Sequence, residues 1–415
     1  MTDRLQQALA RIRPDVRAAH AYVVQPSAGV VKLDIMENPF RLPPELQRAL
    51  GERLGAVAIN RYPAERTAEL AEALKAHAGV PADCGITLGN GSDELISLLT
   101  LAIAQPGATV LSPLPSFVIY EMCASQQRLN FVGVPLRADD FELDEAAMLA
   151  AIAQHQPALV YLSYPNNPTG NLWDAAVIER IVAAAPGLVV LDEAYQPFAS
   201  RDSLALMARH PHVLVMRTMS KFGLAGVRIG YLLGASEVVD QVEKLRPPFN
   251  VSVLNAEAAM FALAHAEVYA AQAAVLRAER ERVFAALQAL PGVQPWPSQG
   301  NMILARVADA AATFAALKAR GVLIKNVSAA HPLLANCLRI TIGTPDENVR
   351  MIEALRASLQ AGLRRRTGRS RTSASYRRSA PARHRSGQSA GQPTVGVPGR
   401  AGRPQVRADG RDAGR

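Results

Sequence analysis

Short apolar runs alternate with helical patterns along residues 1 to about 363 of this 415-residue chain, and this alternation most constrains the fold. The runs are rich in β-branched residues and lie at 109–111, 130–134, 158–163, 188–191, 213–216 and 228–233. Segments with helical periodicity lie between them, at 93–104, 142–155, 173–185 and 204–209. Strands that alternate with helices imply βαβ units and a mostly parallel sheet with helices on both faces. We therefore predict an α/β fold.

A second block of different pattern follows this alternation. It begins with a long helical stretch, 254 to about 290, that contains few helix-breaking residues. Strand-like 302–307, helical 310–320, strands 321–325 and 338–342, and a helix from 345 to about 363 come next. We predict an N-terminal arm (1–35), a large domain (36–253), a small α+β domain (254–363) joined by the long helix, and a tail (364–415).

The tail carries the excess positive charge of the chain. The net charge is +9, but residues 364–415 contain 14 arginines and only two acids, so the remainder is mildly acidic. The tail is also rich in Ser, Gly and Pro and poor in large apolar residues, which predicts disorder. An arginine-rich arm can attract nucleic acid without sequence preference, but this composition also fits an extension without function, and we favour the latter.

Cysteine usage and hydropathy restrict the compartment. The three cysteines, Cys84, Cys123 and Cys337, form no CxxC pair, which argues against a disulfide framework or a thiolate zinc site. The first residues contain no apolar signal region, and no run approaches the roughly 18 apolar residues of a membrane span. We expect a cytoplasmic protein with no metal site and no membrane contact.

Unusual polar segments follow three of the predicted strands. Asn167 lies in LSYPNNPTG, Asp192 and Tyr195 lie in LDEAYQPF, and Ser220 and Lys221 lie in TMSKFGLAGVRIGY. Ligands of a parallel sheet gather at the carboxyl ends of its strands. Each segment alone is also compatible with a turn, a helix cap or a solvated charge. Their combination at matching strand ends predicts one shared site.

The side chains at these ends suit pyridoxal phosphate. A lysine amine, here Lys221, condenses with an aldehyde to a Schiff base, and an acid, here Asp192, keeps the pyridine nitrogen protonated. Phe117 in PLPSFVIY offers an aromatic face for the ring. The turn GNGSDE opens a helix and offers backbone N–H groups to a phosphate. The phosphate-binding candidates are Gly91, Ser92, Asp93, Thr218, Ser220 and Arg228.

The three strand-end segments resemble the aspartate-aminotransferase fold, fold type I, of pyridoxal-phosphate enzymes. With MENPF, NRYP, GNGSDE and CLRITIGTPDEN, the chain is similar to the histidinol-phosphate aminotransferases of class II from about residue 20 to 360. This resemblance implies a mostly parallel, seven-stranded-type sheet in the large domain, and a homodimer. It also implies reversible transamination between histidinol phosphate and 2-oxoglutarate in histidine biosynthesis, with glutamate as the amino donor.

The resemblance also implies roles for individual residues. Lys221 would move a proton between the substrate Cα and the cofactor, while Asn167 and Tyr195 would hydrogen-bond the cofactor's phenolic oxygen. Asn167 would also lie beside the substrate. Tyr62 in NRYP would reach the cofactor phosphate of the neighbouring subunit.

Three further residues are implied at the substrate. Arg339 would clamp the substrate's anionic group, for which a bidentate guanidinium is suited. Tyr22 would lie on an N-terminal arm that closes over the substrate. Lys325 stands where many relatives carry arginine and would add a cation for a substrate phosphate, just as Phe117 stands where tyrosine is usual.

Three alternatives stay open at this stage. An aromatic-amino-acid aminotransferase of the same fold would also bind an anion together with a ring. A phosphothreonine-type decarboxylase is a more distant enzyme of this fold. A nucleic-acid-binding regulator with an aminotransferase-like body would need the arginine-rich tail to bind DNA, because no separate DNA-binding domain precedes residue 36.

Overall fold

In a computed structural model of the chain, residues 3–21 and 25–375 are described, with side-chain environments as far as residue 361. The helices are α1 (Asp3–Ala10), α2 (Pro14–Ala18), α3 (Pro44–Gly55), α4 (Ala64–Ala78), α5 (Ser92–Ala102), α6 (Ile119–Gln126), α7 (Glu145–His155), α8 (Ala175–Ala184), α9 (Leu204–Arg209), α10 (Ser236–Glu243), α11 (Val253–Ala264), α12 (Ala266–Gln288), α13 (Ala310–Ala319) and α14 (Pro345–Ser375). The strands are β1 (Val31–Lys32), β2 (Gly85–Gly89), β3 (Thr109–Leu114), β4 (Asn130–Pro135), β5 (Leu159–Ser163), β6 (Leu188–Asp192), β7 (Val213–Thr218), β8 (Gly230–Gly234), β9 (Gln294–Pro295), β10 (Met302–Arg306), β11 (Val322–Leu323), β12 (Lys325–Asn326) and β13 (Cys337–Thr341).

The largest sheet has seven strands in the order β2-β8-β7-β6-β5-β3-β4. The pairs from β7 to β4 are parallel, and β8 runs antiparallel to both of its neighbours, β7 and β2. The α/β prediction is therefore confirmed. Helices connect the parallel strands, and side-chain caps fix several helix starts: Asp144 caps α7 and Asp174 caps α8.

The central strands are apolar throughout because both faces of the sheet are covered. Every residue of β5, β7 and β8 is buried. Along β5, Val160 and Leu162 pack into a cluster with Trp173 on one face, whereas Leu159 and Tyr161 pack into a second cluster on the other face. This alternation follows the two-residue period of a strand. The packing on both faces fixes the position of the sheet edge that carries the polar segments.

A smaller sheet with its own core follows the large one. Its order is β12-β13-β10-β9, and all of its pairs are antiparallel. Its core contains Ile303, Leu338 and Leu355, with α12, α13 and α14 around it. β1, from the predicted N-terminal arm, pairs in parallel with β11. The predicted division into an arm, a large domain and a small domain stays a prediction, and the part of the chain up to Arg364 forms one compact unit.

The single long helix predicted for 254 to about 290 is wrong. Two helices, α11 and α12, are bent by 75° at His265, which has non-helical backbone angles. No glycine or proline marks this break in the sequence. The two helices bury their apolar residues in different places, since Ala256 belongs to the core of the large sheet and Leu276 to the core of the smaller one. One straight helix cannot serve both cores, so tertiary packing causes the bend.

Two further predicted bounds differ from the structure. The strand predicted at 321–325 is divided between two sheets, because β11 pairs with β1 and β12 pairs with β13. The last helix, α14, continues past the predicted end near residue 363 to Ser375, and the predicted disorder of the tail stays a prediction. Arginine favours helices, and the first proline after the start of α14 is Pro381. Residues 376–415 lie outside the described residues, and Arg365–Arg415 form a separate unit.

Among the described residues, no single helix is long and apolar enough to cross a membrane; α11 and α12 meet that test only as a bent pair.

Candidate active site

Three neighbouring strands end at the same level and place the predicted polar segments side by side. Ser163 at the end of β5 pairs with Asp192 at the end of β6, and Asp192 pairs with Met216 in β7. Asn167 follows β5 in the next turn, and Lys221 follows β7. The carboxyl edge of the sheet therefore brings together the residues that the sequence predicted as one site.

Lys221 lies in a short π-helical turn, Ser220–Leu224, directly after β7. Its side chain is half-buried, and Nζ donates a hydrogen bond to the backbone oxygen of Ile35 at 3.0 Å. Burial lowers the pKa of this amine to about 8, and the positive charge of Arg339 adds to the effect. Within the described ranges no carboxylate forms an ion pair with Lys221, so a larger fraction of the amine is neutral near neutral pH than for an ordinary lysine.

Asp192 is 3% exposed at the end of β6. Its Oδ2 accepts a hydrogen bond from the hydroxyl of Tyr120 at 2.6 Å, and its Oδ1 accepts one from the backbone N–H of Ala194 at 3.1 Å. Burial raises the pKa of this carboxyl to about 6, although the Tyr120 hydrogen bond opposes the rise. No basic side chain of the described residues pairs with Asp192, so it is a buried acid that suits a cationic ligand group.

The start of α5 forms a cradle for an anion. Gly91 caps this helix at φ +86°, and Ser92 is its first residue. A side chain at Gly91 would collide with the guanidinium of Arg228, which lies 3.7 Å from the carboxylate of Asp93. Free N–H groups at a helix start attract anions, and the arginine adds a full positive charge.

Two hydroxyl groups complete this cradle. Thr218 Oγ1 lies 3.0 Å from Ser220 Oγ and accepts a hydrogen bond from the Ser220 backbone N–H at 3.1 Å.

At Gly230, the first residue of β8, an added Cβ would lie 2.6 Å from the backbone nitrogen of Ser92. This close approach brings β8 and the start of α5 together, with Arg228 two residues before the strand. The strand predicted to begin at 228 begins at Gly230 instead, because Arg228 has a left-handed backbone conformation with φ +58°.

A buried arginine lies on the other side of the site. Arg339 on β13 is 8% exposed, and it donates to Asn167 Oδ1 at 2.6 Å and to the backbone oxygen of Asp34 at 2.8 Å. Lys325 on β12 is its direct partner across the antiparallel pair, so both cations start from the same face of the smaller sheet. Within the described ranges no carboxylate pairs with Lys325.

Tyr195 and Phe117 supply rings near the acid. Tyr195 is 3% exposed, and its pKa is raised, mainly by burial, although the charge of Arg339 opposes the rise. Phe117 is half-buried and packs edge-to-face on Tyr120, with ring centroids 5.7 Å apart. Both rings are therefore connected to the surroundings of Asp192.

One predicted site residue, Tyr62, is not part of this assembly. Tyr62 is 77% exposed and stacks on Phe249, with ring centroids 4.4 Å apart. Tyr22 lies outside the described residues.

The assembled groups fit the three functional parts of pyridoxal phosphate. Lys221 offers an amine for the aldehyde, Asp192 offers a buried negative charge for the ring nitrogen, and the cradle at Gly91 offers donors for the phosphate. The unpaired Asp192 is the strongest indication of a bound cofactor, because a buried carboxylate without a cation destabilises the fold unless a ligand supplies the positive charge.

Sequence reasoning missed two contacts of this site. Tyr120 lies one helical turn after Phe117 in SFVIYEM, a spacing that could have placed it beside the ring. The Ile35 carbonyl that accepts from Lys221 carries no signal in the sequence, because every residue has a carbonyl group.

Comparisons with known proteins agree with this geometry. A family model described as aminotransferase class I and II matches residues 28–355. The chain is 65% identical to the histidinol-phosphate aminotransferase of Methylibium petroleiphilum over 351 residues, which cover 84% of this chain and 94% of that protein. It is 62% identical to the histidinol-phosphate aminotransferase of Paracidovorax citrulli over 371 residues, covering 86% and 100%. The crystal structure of histidinol-phosphate aminotransferase from Sinorhizobium meliloti in complex with pyridoxal-5'-phosphate has a TM-score of 0.75 and 27% identity, covering 85% of this chain and 98% of that one.

Proposed function

The chain belongs to the aminotransferase class I and II family, and from this premise we propose that it is a pyridoxal-phosphate-dependent histidinol-phosphate aminotransferase. It transfers an amino group between histidinol phosphate and 2-oxoglutarate, and in the biosynthetic direction glutamate donates the amine for histidine synthesis. One observation carries the proposal. Among the described residues, the buried acid Asp192 has no cationic partner and the half-buried Lys221 has no acidic partner, and the two lie at and directly after the ends of neighbouring strands of one sheet.

The residues that surround this pair would hold the cofactor. Asp192 would pair with the ring nitrogen, Phe117 would cover the ring, and Asn167 and Tyr195 would bind the phenolic oxygen. The backbone and side-chain donors of Gly91, Ser92, Thr218, Ser220 and Arg228 would hold the phosphate, with Asp93 orienting the arginine from 3.7 Å. Bound pyridoxal phosphate supplies the electron sink that stabilises the negative charge left on the substrate Cα.

Lys221 performs the proton transfer. Its pKa of about 8 leaves a useful fraction of the amine neutral near neutral pH, so Nζ can accept the proton of the substrate Cα and release it again. In the cofactor-free protein, the hydrogen bond to the Ile35 carbonyl, at 3.0 Å, holds Nζ at the site where the cofactor aldehyde would bind. The positive charge of Arg339 contributes to the low pKa, so the substrate-binding cation also tunes the base.

Two cations select the substrate. Arg339 binds the anionic group of the substrate through its guanidinium, whose fork geometry suits a phosphate or carboxylate. Lys325, its cross-strand partner, adds a second positive charge on the same face. Two cations favour a dianionic phosphate over a single carboxylate, which supports histidinol phosphate over an aromatic amino acid.

We further propose that the protein acts as a homodimer. Tyr62 (77% exposed) and Phe249 (49% exposed) stack on each other, and Ile59, three positions before Tyr62 in the chain, is 73% exposed. Large apolar side chains exposed in this way indicate a protein contact. A second copy would cover them and bring Tyr62 to the neighbouring cofactor phosphate. The three free cysteines suit the reducing cytoplasm, where we place the enzyme.

A single half-reaction tests the proposed activity. Cofactor-loaded protein is mixed with histidinol phosphate without keto acid, and the cofactor's absorbance is followed over time. Conversion much faster than with phenylalanine or tyrosine supports the proposal, whereas conversion by the aromatic amino acids alone assigns the chain to the aromatic-amino-acid aminotransferases.

Two lysine variants make the result specific to the site. Lys221→Ala removes the amine and should abolish conversion with every substrate. Lys244→Ala, a change on the exposed surface, should convert at the wild-type rate. Normal turnover by Lys221→Ala would exclude this lysine as the base.

A further inference from the structure

The side-chain hydrogen-bond partner of Asp192 is a buried tyrosine, Tyr120. Tyr120 on α6 is 0% exposed, and its hydroxyl donates to Asp192 Oδ2 at 2.6 Å. This distance is typical of a hydrogen bond from a hydroxyl to a charged carboxylate, which is stronger than one between neutral groups. We propose that Tyr120 is a positioning residue that fixes the orientation and charge of Asp192 opposite the cofactor's ring nitrogen. The inference rests on the proposed function.

Two aromatic contacts immobilise the tyrosine. Its ring stacks on Tyr161 with centroids 4.3 Å apart and planes within 3°, and Phe117 packs edge-to-face against it at 5.7 Å. A ring held on two sides cannot turn its hydroxyl elsewhere without breaking this packing. The Tyr120 hydroxyl therefore presents a fixed donor to the carboxylate.

The carboxylate is held through both of its oxygens. Oδ2 takes the Tyr120 hydroxyl, and Oδ1 takes the backbone N–H of Ala194 at 3.1 Å. The two donors come from different parts of the chain, α6 and the turn after β6. Two donors on different oxygens define the plane of the carboxylate, which determines the direction in which it meets the ring nitrogen.

The charges around Asp192 make the Tyr120 hydroxyl important for keeping this carboxyl ionised. The largest effects of neighbouring charges on its pKa come from Asp93 on α5 and Glu193 beside it, and both acids favour the neutral form of Asp192, as does burial. Tyr195 and Tyr161 are buried nearby and neutral. The Tyr120 hydrogen bond is the strongest contact that lowers the pKa of Asp192. Without it, Asp192 would take up a proton at higher pH.

Tyr120 also connects two parts of the cofactor site. Phe117, the residue that covers the cofactor ring in the proposed function, touches Tyr120 one helical turn away. A shift of the tyrosine ring would therefore move the ring cover and the acid at the same time. This coupling explains why a tyrosine, with a ring and a donor in one side chain, is suited to the position.

Cofactor binding to the cofactor-free protein tests the inference. Tyr120→Phe keeps the ring and removes the donor. Loss of a hydrogen bond to a charged group should weaken pyridoxal phosphate binding by about tenfold to hundredfold. The acid limb of the pH profile of binding should move to higher pH, because the carboxylate is protonated more readily. The measurement is an equilibrium titration of pyridoxal phosphate at a series of pH values.

Tyr161→Phe is the matched control. Tyr161 is equally buried and belongs to the same stack, but its hydroxyl donates to the backbone oxygen of Ile96 at 3.3 Å. This variant should bind pyridoxal phosphate with the wild-type constant and pH profile. Equal effects of Tyr120→Phe and Tyr161→Phe on pyridoxal phosphate binding would mean that Tyr120 contributes only through packing, and would overturn the inference.

A second perturbation covers the case in which Tyr120→Phe does not fold. Site-specific replacement of Tyr120 by fluorotyrosine preserves the shape and makes the hydroxyl a stronger donor, so the acid limb should move to lower pH. An unmoved limb in both substituted proteins overturns the inference while leaving the proposed function intact. Failure of wild-type protein to bind pyridoxal phosphate overturns the proposed function and, with it, the role of Tyr120.

Discussion

Replacement of Asp192 by asparagine should stabilise the cofactor-free protein while it weakens the holoenzyme. Burial raises the pKa of this carboxyl from 3.8 to about 6. Each pKa unit corresponds to about 1.4 kcal/mol, so the ionised carboxylate disfavours the folded state by about 3 kcal/mol. An uncharged asparagine avoids this penalty and can still accept from the N–H of Ala194 and donate to the oxygen of Tyr120.

The pH dependence follows from the direction of the shift. A carboxyl whose folded pKa is raised binds more protons in the folded state than in the unfolded state, so stability falls as pH rises. For Asp192 the penalty should develop between about pH 4 and about pH 6 and stay constant above that range. Asp192→Asn should therefore be more stable than wild type at about pH 8, with a gap that closes toward about pH 4.

Urea unfolding of the cofactor-free proteins, prepared with a carbonyl reagent, measures this gap. Saturating pyridoxal phosphate should reverse the order, because binding stabilises the form that holds the cofactor more tightly. Asp240→Asn on the exposed face of α10 is the control and should show no pH-dependent gap. A cofactor-free Asp192→Asn protein that is no more stable than wild type at about pH 8 would refute the reasoning.

Three further substitutions test the surroundings of the site. Gly91→Ala should raise the dissociation constant of pyridoxal phosphate roughly tenfold or more, since a methyl group displaces the Arg228 guanidinium and φ is +86°. Arg217→Ala should lower the free energy of unfolding by about 3–5 kcal/mol in urea, because it leaves buried Glu193 unpaired. Arg339→Ala should raise KM for histidinol phosphate about tenfold to hundredfold in steady-state assays, with a smaller change in cofactor affinity.

Each of these substitutions has a counterpart elsewhere in the chain. Gly107→Ala introduces the same kind of backbone strain, at φ +81°, with open space around the new methyl group, and should not affect cofactor binding. Arg209→Ala breaks an exposed ion pair and should change stability little. Arg356→Ala, on the exposed face of α14, should leave KM unchanged. Parallel effects in a variant and its counterpart contradict the role given to the site residue.

The sequence by itself determined the α/β architecture and the segments that form the site. Apolar runs such as 158–163 and 213–216 indicate strands that are buried on both faces of a sheet. The sequence shows such elements because strand and helix periods are local properties of the chain. The polar residues after those runs, among them Asp192 and Lys221, had to meet once the strands were parallel. The structure places them on one edge, and their roles in catalysis stay predictions.

Only the tertiary structure decided the contacts that link distant segments. Tyr120 reaches Asp192 across 72 positions, and Lys221 reaches the Ile35 carbonyl across 186. The break at His265 has the same origin, since two separate cores, rather than a breaker residue, bend the helix. Such contacts depend on how whole elements pack against one another, and a local pattern of residue types does not specify that packing.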